Sequence, residues 1–208
     1  MMLERWLALV GRASDAGDAG RAEAAFEDLR KRYSGAERHY HDFRHIEACL
    51  RVFDSVADRA EDADAVELAI WFHDAVYDSH RSDNEEASAG LAVATLGSLG
   101  VGISRVQTVS KLILVTRHSV VPTSGDEALL MDIDLSILGK AAGVFDEYEC
   151  GVRREYEWVA EEAFRAGRAK VLRSFLARPR IYFTDFFYDA FETAARVNLN
   201  RSLMKLAG

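Results

Sequence analysis

The sequence predicts an all-α fold, a single compact helical bundle, and three observations carry that prediction. Only two of the 208 residues are proline, whereas the strong helix formers Ala, Leu, Glu and Arg are abundant. Apolar residues recur at three- and four-residue spacing along most of the chain. No Pro/Gly/Ser-rich spacer or internal repeat interrupts it, so residues 1–208 are expected to form one domain.

The elements follow in order. Leu3, Trp6, Leu7 and Val10 mark a first helix, ended by the Gly/Asp-rich stretch 11–20. Ala22, Ala25, Phe26, Leu29 and Tyr33 face a second. Ser34 to Glu37 has the pattern of a capping box, in which the Glu side chain reaches back to the N-cap amide, so a third helix is expected from about Ala36 to Val56. Its apolar stripe is Phe43, Ile46, Cys49, Leu50 and Phe53. A second capping box, Asp64 to Glu67, opens a helix that is apolar nearly all round and therefore central. After a polar loop, 79–83, the run Asp83-Asn84-Glu85-Glu86 caps a helix through Ala89, Val93 and Leu96. The next helix is expected from Ile103 to Arg117-His118, and a Ser124 to Glu127 box opens one through Leu129, Leu130 and Ile133 that Gly139 stops. One long charged helix is expected over 145–164, a shorter one over 168–176 before Pro179, and a last one carrying Phe186, Phe187, Phe191, Ala194, Val197 and Leu203.

Chemistry concentrates late in the central helix, which is expected to carry His73 and Asp74 and to give way to the loop only after Asp78, one turn past Asp74. In Ile70-Trp71-Phe72-His73-Asp74 an imidazole and a carboxylate follow an apolar run, where burying an unpartnered polar group costs roughly 2–7 kcal/mol. A bound metal ion offsets that cost. Upstream, His41 and His45 are one helical turn apart in Arg38-His39-Tyr40-His41-Asp42-Phe43-Arg44-His45. Downstream, Met131-Asp132-Ile133-Asp134-Leu135-Ser136 supplies two further carboxylates that compete to close the site. Ligands projected inward from three helices suit a site in the core of a bundle. Two nitrogen and two oxygen donors leave one or two positions open and do not choose among Mn, Mg, Zn, Fe, Ni and Co. With no Cys in the set, a structural zinc is disfavoured.

This arrangement of a His, a His-Asp pair and a later Asp on separate helices resembles the HD superfamily of metal-dependent phosphohydrolases. The likeness spans about Arg38 to Asp134, with 36–139 as the core motif region and helices in 141–207 packed on it, and a small bacterial HD branch matches further, to Ala195-Arg196-Val197-Asn198-Leu199. The resemblance implies one divalent metal held by His45, His73, Asp74 and Asp134, with Asp132 as a supporting partner. It implies hydrolysis of a nucleotide or other small phosphate ester by metal-activated water. The more distant likeness to cyclic-nucleotide phosphodiesterases implies His41 as general acid to the leaving oxygen; the alternative is a surface histidine bonded to its neighbours. Likeness to stringent-response nucleotide hydrolases, which read His-Asp-x-x-Glu-Asp, points to Asp78 beside the attacking water, although Tyr77 replaces their Glu. Asn84, Glu85 and Glu86 match a signature of the small branch, with capping as the residue-level explanation of Glu86.

Arg38, Arg44, Lys111 and Arg117 lie near these residues in sequence and are candidates to bind the substrate phosphate, as is His118, which has a second-metal ligand as its other role. His39 is assigned to the surface. A di-iron oxygenase of the HD type is the less favoured reading and needs both His80 and His118; a non-catalytic nucleotide-sensing module is the other alternative. A formal net charge of −8 excludes wrapping of a nucleic-acid polymer. Two cysteines, Cys49 and Cys150, are expected to be buried free thiols in a reducing cytoplasm. The segment 1–10 carries Glu4 and Arg5 and is too short for a signal peptide, and no run of 18 apolar residues occurs, so no membrane partner is expected. A homodimer on the aromatic stripe of the last helix is a secondary expectation.

Overall fold

The computed structural model describes residues 1–14 and 17–208. Its helices are α1 (Met2–Ala13), α2 (Ala19–Arg32), α3 (Phe43–Asp54), α4 (Ala63–Phe72), α5 (Asn84–Ser98), α6 (Ile103–Val115), α7 (Gly125–Asp134), α8 (Ala142–Glu155), α9 (Glu161–Leu176) and α10 (Asp185–Ala207). Short 3-10 segments follow α3 (Ala57–Arg59) and α7 (Leu135–Gly139). The fold is all-α and compact, and no sheet forms among the described residues.

Helix α4 is the axis, as its apolar sequence demands. Every residue from Ala65 to Phe72 is buried, and α1, α3, α5, α6 and α7 pack around it. Trp71 is the hub: Trp6 of α1 meets it edge-on at 5.5 Å between ring centroids, and Phe26 of α2 does so at 6.0 Å. Tyr33 Oη donates to the Trp71 carbonyl at 3.0 Å, satisfying one of the backbone acceptors that a helix leaves open at its C-terminal end. Outside this layer the 3-10 segment after α7 seats α10, and α9 packs against α10. Buried side chains from Trp6 to Leu199 form one continuous core.

Several boundaries differ from the expected ones, and each difference has a local cause. Helix α3 begins at Phe43 rather than Ala36, because the extended Asp42 is its N-cap and accepts from the amides of Arg44 and His45. Ser34 does not cap α3; its hydroxyl donates back to the Arg30 carbonyl at the end of α2. Asp62, not Asp64, caps α4, and Glu67 turns away to an ion pair with Arg5. Glu86 does not cap α5 either; it pairs with Arg117, while Asp83 is held by Arg81. The expected box at Ser124 does form on one side, with Ser124 Oγ accepting from the Glu127 amide at 3.2 Å.

The long helix expected over 145–164 is two helices. Arg153 donates to the carbonyls of Tyr156 and Val159, stabilising a turn that ends α8 and lets α9 start at Glu161, seven residues before the expected Arg168. The expected break over 11–20 holds in part: α1 continues to Ala13, and residues 15 and 16 lie outside the described residues. Along α10 the aromatic stripe serves the core, with Phe187 buried and Phe186 and Phe191 packed on it, but Val197 is 62% exposed. Cys49 is buried as expected, whereas Cys150 is exposed.

Candidate metal centre

Three helix ends deliver four donors to one point. His45 lies in the first turn of α3, fixed by the Asp42 cap, and is 5% exposed. His73 is the C-cap of α4, Asp74 follows it, and Asp134 is the last residue of α7. His73 Nδ1 is 2.9 Å from the Ile70 carbonyl, which only accepts, so Nδ1 carries the proton and Nε2 presents its lone pair to the cluster. His45 Nε2 lies 3.1 Å from His73 Nε2. It is 3.2 Å from Asp134 Oδ1 and 3.6 Å from Asp74 Oδ2, and His73 Nε2 shows the converse, 3.2 Å to Asp74 Oδ2 and 3.6 Å to Asp134 Oδ1.

The separations of each histidine Nε2 from the other donors lie in the range spanned by neighbouring ligands of an ion. Metal–ligand bonds of about 2.1 Å place neighbouring donors about 3.0 Å apart at right angles and about 3.4 Å apart at the tetrahedral angle. Two imidazole nitrogens aimed at each other across 3.1 Å between two carboxylates require a cation, whether a metal or a proton. The field has that sign. Burial opposes charge on Asp74 and Asp134, yet the surrounding histidines outweigh it and hold both carboxyls well below their usual range. On His73 burial works against the imidazolium, and Asp74 and Asp134 overcome it and push the pKa well above the ordinary value. The donors fit a divalent ion, which His45, His73 and Asp74 would hold as one compact group, with Asp134 beside it at 3.2 Å from His45 Nε2.

His118 joins this group instead of standing apart as a phosphate binder. Its Nε2 lies 2.7 Å from Asp134 Oδ2, the oxygen turned away from His45, so it fixes the orientation of that carboxylate. To do so it takes a positive φ of 55°, which a non-glycine residue adopts at a cost, and Arg178 ties down its carbonyl at 2.6 Å. Cys49, one turn after His45 on α3, places Sγ 3.7 Å from His45 Nε2, within a compact His45–Cys49–Asp134 group that its sequence position does not announce. Burial, then the charges of Asp134 and Asp74, push its pKa well up, so it is a neutral thiol against the ring.

His41 is brought close by a different route from the one expected. It precedes α3 and shares no helix face with His45, yet the two ring centroids are 6.0 Å apart. Glu155, in the last turn of α8, is what holds it. Glu155 Oε1 accepts from three consecutive amides, those of His39, Tyr40 and His41, at 2.9, 2.7 and 2.9 Å. Glu155 Oε2 takes His41 Nδ1 at 2.7 Å and the Tyr77 hydroxyl at 3.1 Å, and the Tyr77 ring stacks on His41 at 4.1 Å. Burial disfavours the His41 cation, but Asp74 and the bond to Glu155 prevail and raise its pKa. Gly151 permits the approach, because a Cβ there would come within 3.0 Å of the His39 carbonyl and of Tyr40 Cβ. The charged pattern of 145–164 does not single out Glu155, although its seven-residue spacing from Tyr148 and three-residue spacing from Val152 put it in the inward phase.

The remaining expected residues are engaged elsewhere. Asp78 is exposed, and its carboxylate accepts from the His80 amide within its own turn, at 2.9 Å. Since α4 stops at Phe72, the one-turn relation that aimed Asp78 at the site of Asp74 does not exist. Asp132 is fully buried away from the donors and accepts from the amides of Phe183 and Thr184 and the Thr184 hydroxyl, an anchor for the start of α10; burial pushes its carboxyl up to about 6 against those bonds. Arg38 is buried and donates to the carbonyls of His41, Asp74 and Ala75, clamping the two ligand segments together. Arg44 pairs with Asp42, and Arg117 with Glu86 and Glu85. Lys111 is exposed on α6, and His80 stacks on Trp158 at 4.0 Å. His39, read as surface, is partly buried and gives its amide to Glu155.

A cavity of about 680 Å³ opens beside the donors, with His45, Cys49 and Asp134 on its inner wall. It runs between α3 and α8. Compared with models of known families, with curated proteins and with solved structures, the chain matches none.

Proposed function

We propose that this protein is a metal-dependent phosphohydrolase acting on a nucleotide or another small phosphate ester, as the HD-like residue pattern implies. The observation that carries the reading is the convergence of His45, His73, Asp74 and Asp134, each histidine Nε2 lying within 3.6 Å of both carboxylates. A divalent ion there would supply Lewis acidity and a water of lowered pKa. The chain's own contribution is order and protons. Arg38 fixes the backbone carbonyls of His41 and Asp74 relative to each other, so the proton donor and a ligand keep their spacing. Glu155 holds the proton on His41 Nδ1 and, through the raised pKa, favours a second proton on Nε2, the one available to a leaving oxygen at neutral pH. His118 holds the outer oxygen of Asp134.

A di-iron oxygenase on the same scaffold would call on His80, whose ring is committed to Trp158 and whose residue is exposed, so that reading has less support. The test is metal analysis of purified protein, followed by a nucleotide and phosphate-ester panel with Mn, Mg, Zn, Fe, Ni and Co supplied in turn. The expected result is about one ion per chain and turnover of at least one ester. Absence of ion binding in calorimetry with all six metals overturns the proposal. Ion binding with no turnover, together with nucleotides that raise the melting temperature, moves the protein to the sensing module.

A further inference from the structure

Of the basic residues picked out by sequence proximity, Arg38, Arg44 and Arg117 are committed to carbonyls or carboxylates, and Lys111 on α6 does not line the cavity. The cavity beside the donors holds different ones. Arg51, Lys140 and Arg154 line it, and among the described residues none of the three has a carboxylate partner. Of the acids lining it outside the donor set, Asp42 is taken by Arg44 and Asp146 by Arg201 and Lys205, leaving Glu147. Outside the donor set, three cations without a carboxylate partner face one acid without a cation partner among the described residues, in a chain whose formal charge is −8.

We infer that this cavity binds the phosphate dianion of the substrate, with Lys140 and Arg51 as its anchors, an inference that rests on the phosphohydrolase reading and adds how its substrate is recognised. Lys140 follows the 3-10 segment after Asp134 and Arg51 lies on α3 two residues past Cys49, so both positions are tied to elements that carry ligands. The Lys140 ammonium sits 5.0 Å from the centroid of the Phe191 ring, a contact that does not neutralise it. Burial lowers the Lys140 pKa, and the Arg51 charge acts in the same direction. A phosphate dianion supplies a counter-ion. The volume, about 680 Å³, is within the range of roughly 300–1,000 Å³ typical of small-ligand sites, and Tyr148 and Ile137 give the rest of an ester an aromatic and apolar surface.

The test is calorimetric titration of the full chain with inorganic phosphate, once after loading with metal and once in EDTA. Wild type is expected to bind in both states. Lys140→Gln and Arg51→Gln should each weaken binding roughly tenfold, the scale of one charge-assisted hydrogen bond, and the double variant should lose it, while Lys170→Gln on the exposed face of α9 leaves it unchanged. Circular dichroism and metal content are measured on each variant. Wild-type affinity in a folded double variant overturns the inference, as does absence of phosphate binding by wild type in both states. The underlying reading fails separately: cation-dependent phosphate binding in a protein that hydrolyses no ester keeps the anion site and removes the hydrolase.

Discussion

Glu155 Oε2 lies 2.7 Å from His41 Nδ1, across 114 residues of sequence, while its other oxygen gathers the amides of residues 39 to 41. One carboxylate thus shapes the backbone in front of α3 and sets the protonation of the histidine it presents. The Tyr77 hydroxyl completes its coordination, so the side chain that follows the His73-Asp74 pair is tied to the same anchor.

Replacing this carboxylate by an amide separates its two duties. In Glu155→Gln the side-chain oxygen still accepts from the amides, but the NH₂ group faces His41 Nδ1 in place of an acceptor. The expected outcome is a His41 pKa shifted down in ¹H–¹⁵N NMR titration, turnover lowered by about 10-fold or more, and unchanged metal content. Glu155→Ala removes both duties and should cost about 2–4 kcal/mol in denaturant unfolding. A Glu155→Gln protein with an unmoved His41 pKa would contradict the assignment.

The same residue predicts a pH dependence of stability. Burial raises the Glu155 carboxyl, but the His41 bond and the backbone amides outweigh it and bring the pKa down to about 2 from the usual 4.5. The unfolded chain therefore takes up a proton at a higher pH than the folded one. The stabilisation is fully present above the unfolded value and disappears as pH falls from about 4.5 to about 2, with an integrated size of about 3 kcal/mol. Measured by urea unfolding across that window, wild type should lose more stability than Glu155→Gln. Parallel curves for the two proteins would show that Glu155 is not depressed.

What the sequence made readable and what it hid divide along physical lines. His73 and Asp74 stood out because ionisable side chains at otherwise apolar helix positions need a reason, the choice of His45 over His41 and Asp134 over Asp132 came from the HD resemblance, and the all-α class followed from composition and period. The start of α3 did not, because both Ser34 and Asp42 are good caps and only the tertiary pull of Glu155 on residues 39–41 makes the later one win. Asp78 misled for a related reason: its relation to Asp74 presumed a helix that ends at Phe72. Lys140 and Arg51 are unremarkable as residues; what marks them is that, among the described residues, neither forms an ion pair with a carboxylate, which no sequence displays.

The two histidines near the start of α3 should separate cleanly. His45→Ala removes a donor from the proposed ion set and leaves the partly buried Asp74 and Asp134 with less positive charge, so it should lose bound metal and the stabilisation that metal gives, about 2.7 kcal/mol at 100 times the dissociation constant. His41→Ala should keep both the metal and its thermal shift, and its turnover deficit should shrink for nitrophenyl esters, whose leaving group needs no proton. Metal loss from His41→Ala with retention in His45→Ala would reverse the roles.

Asp132 and Asp134 are two residues apart and chemically identical, yet the structure gives them unrelated tasks, and a matched pair of substitutions tests this. Asp132 accepts three hydrogen bonds from residues 183 and 184, and an asparagine offers an acceptor to one side only, turning an NH₂ donor towards the other. Asp132→Asn should therefore destabilise the protein by about 1–3 kcal/mol, with stoichiometric metal retained. In Asp134→Asn the carboxylate shared by His45, His73 and His118 is gone, and the ion set falls from two acidic ligands to one. Metal content measured after gel filtration should fall well below that of wild type. Its unfolding free energy without metal should fall by less than the loss of metal binding implies, because a buried negative charge is removed together with the ion it balanced. Metal loss from Asp132→Asn at full metal occupancy of Asp134→Asn would assign the closing ligand to the other aspartate.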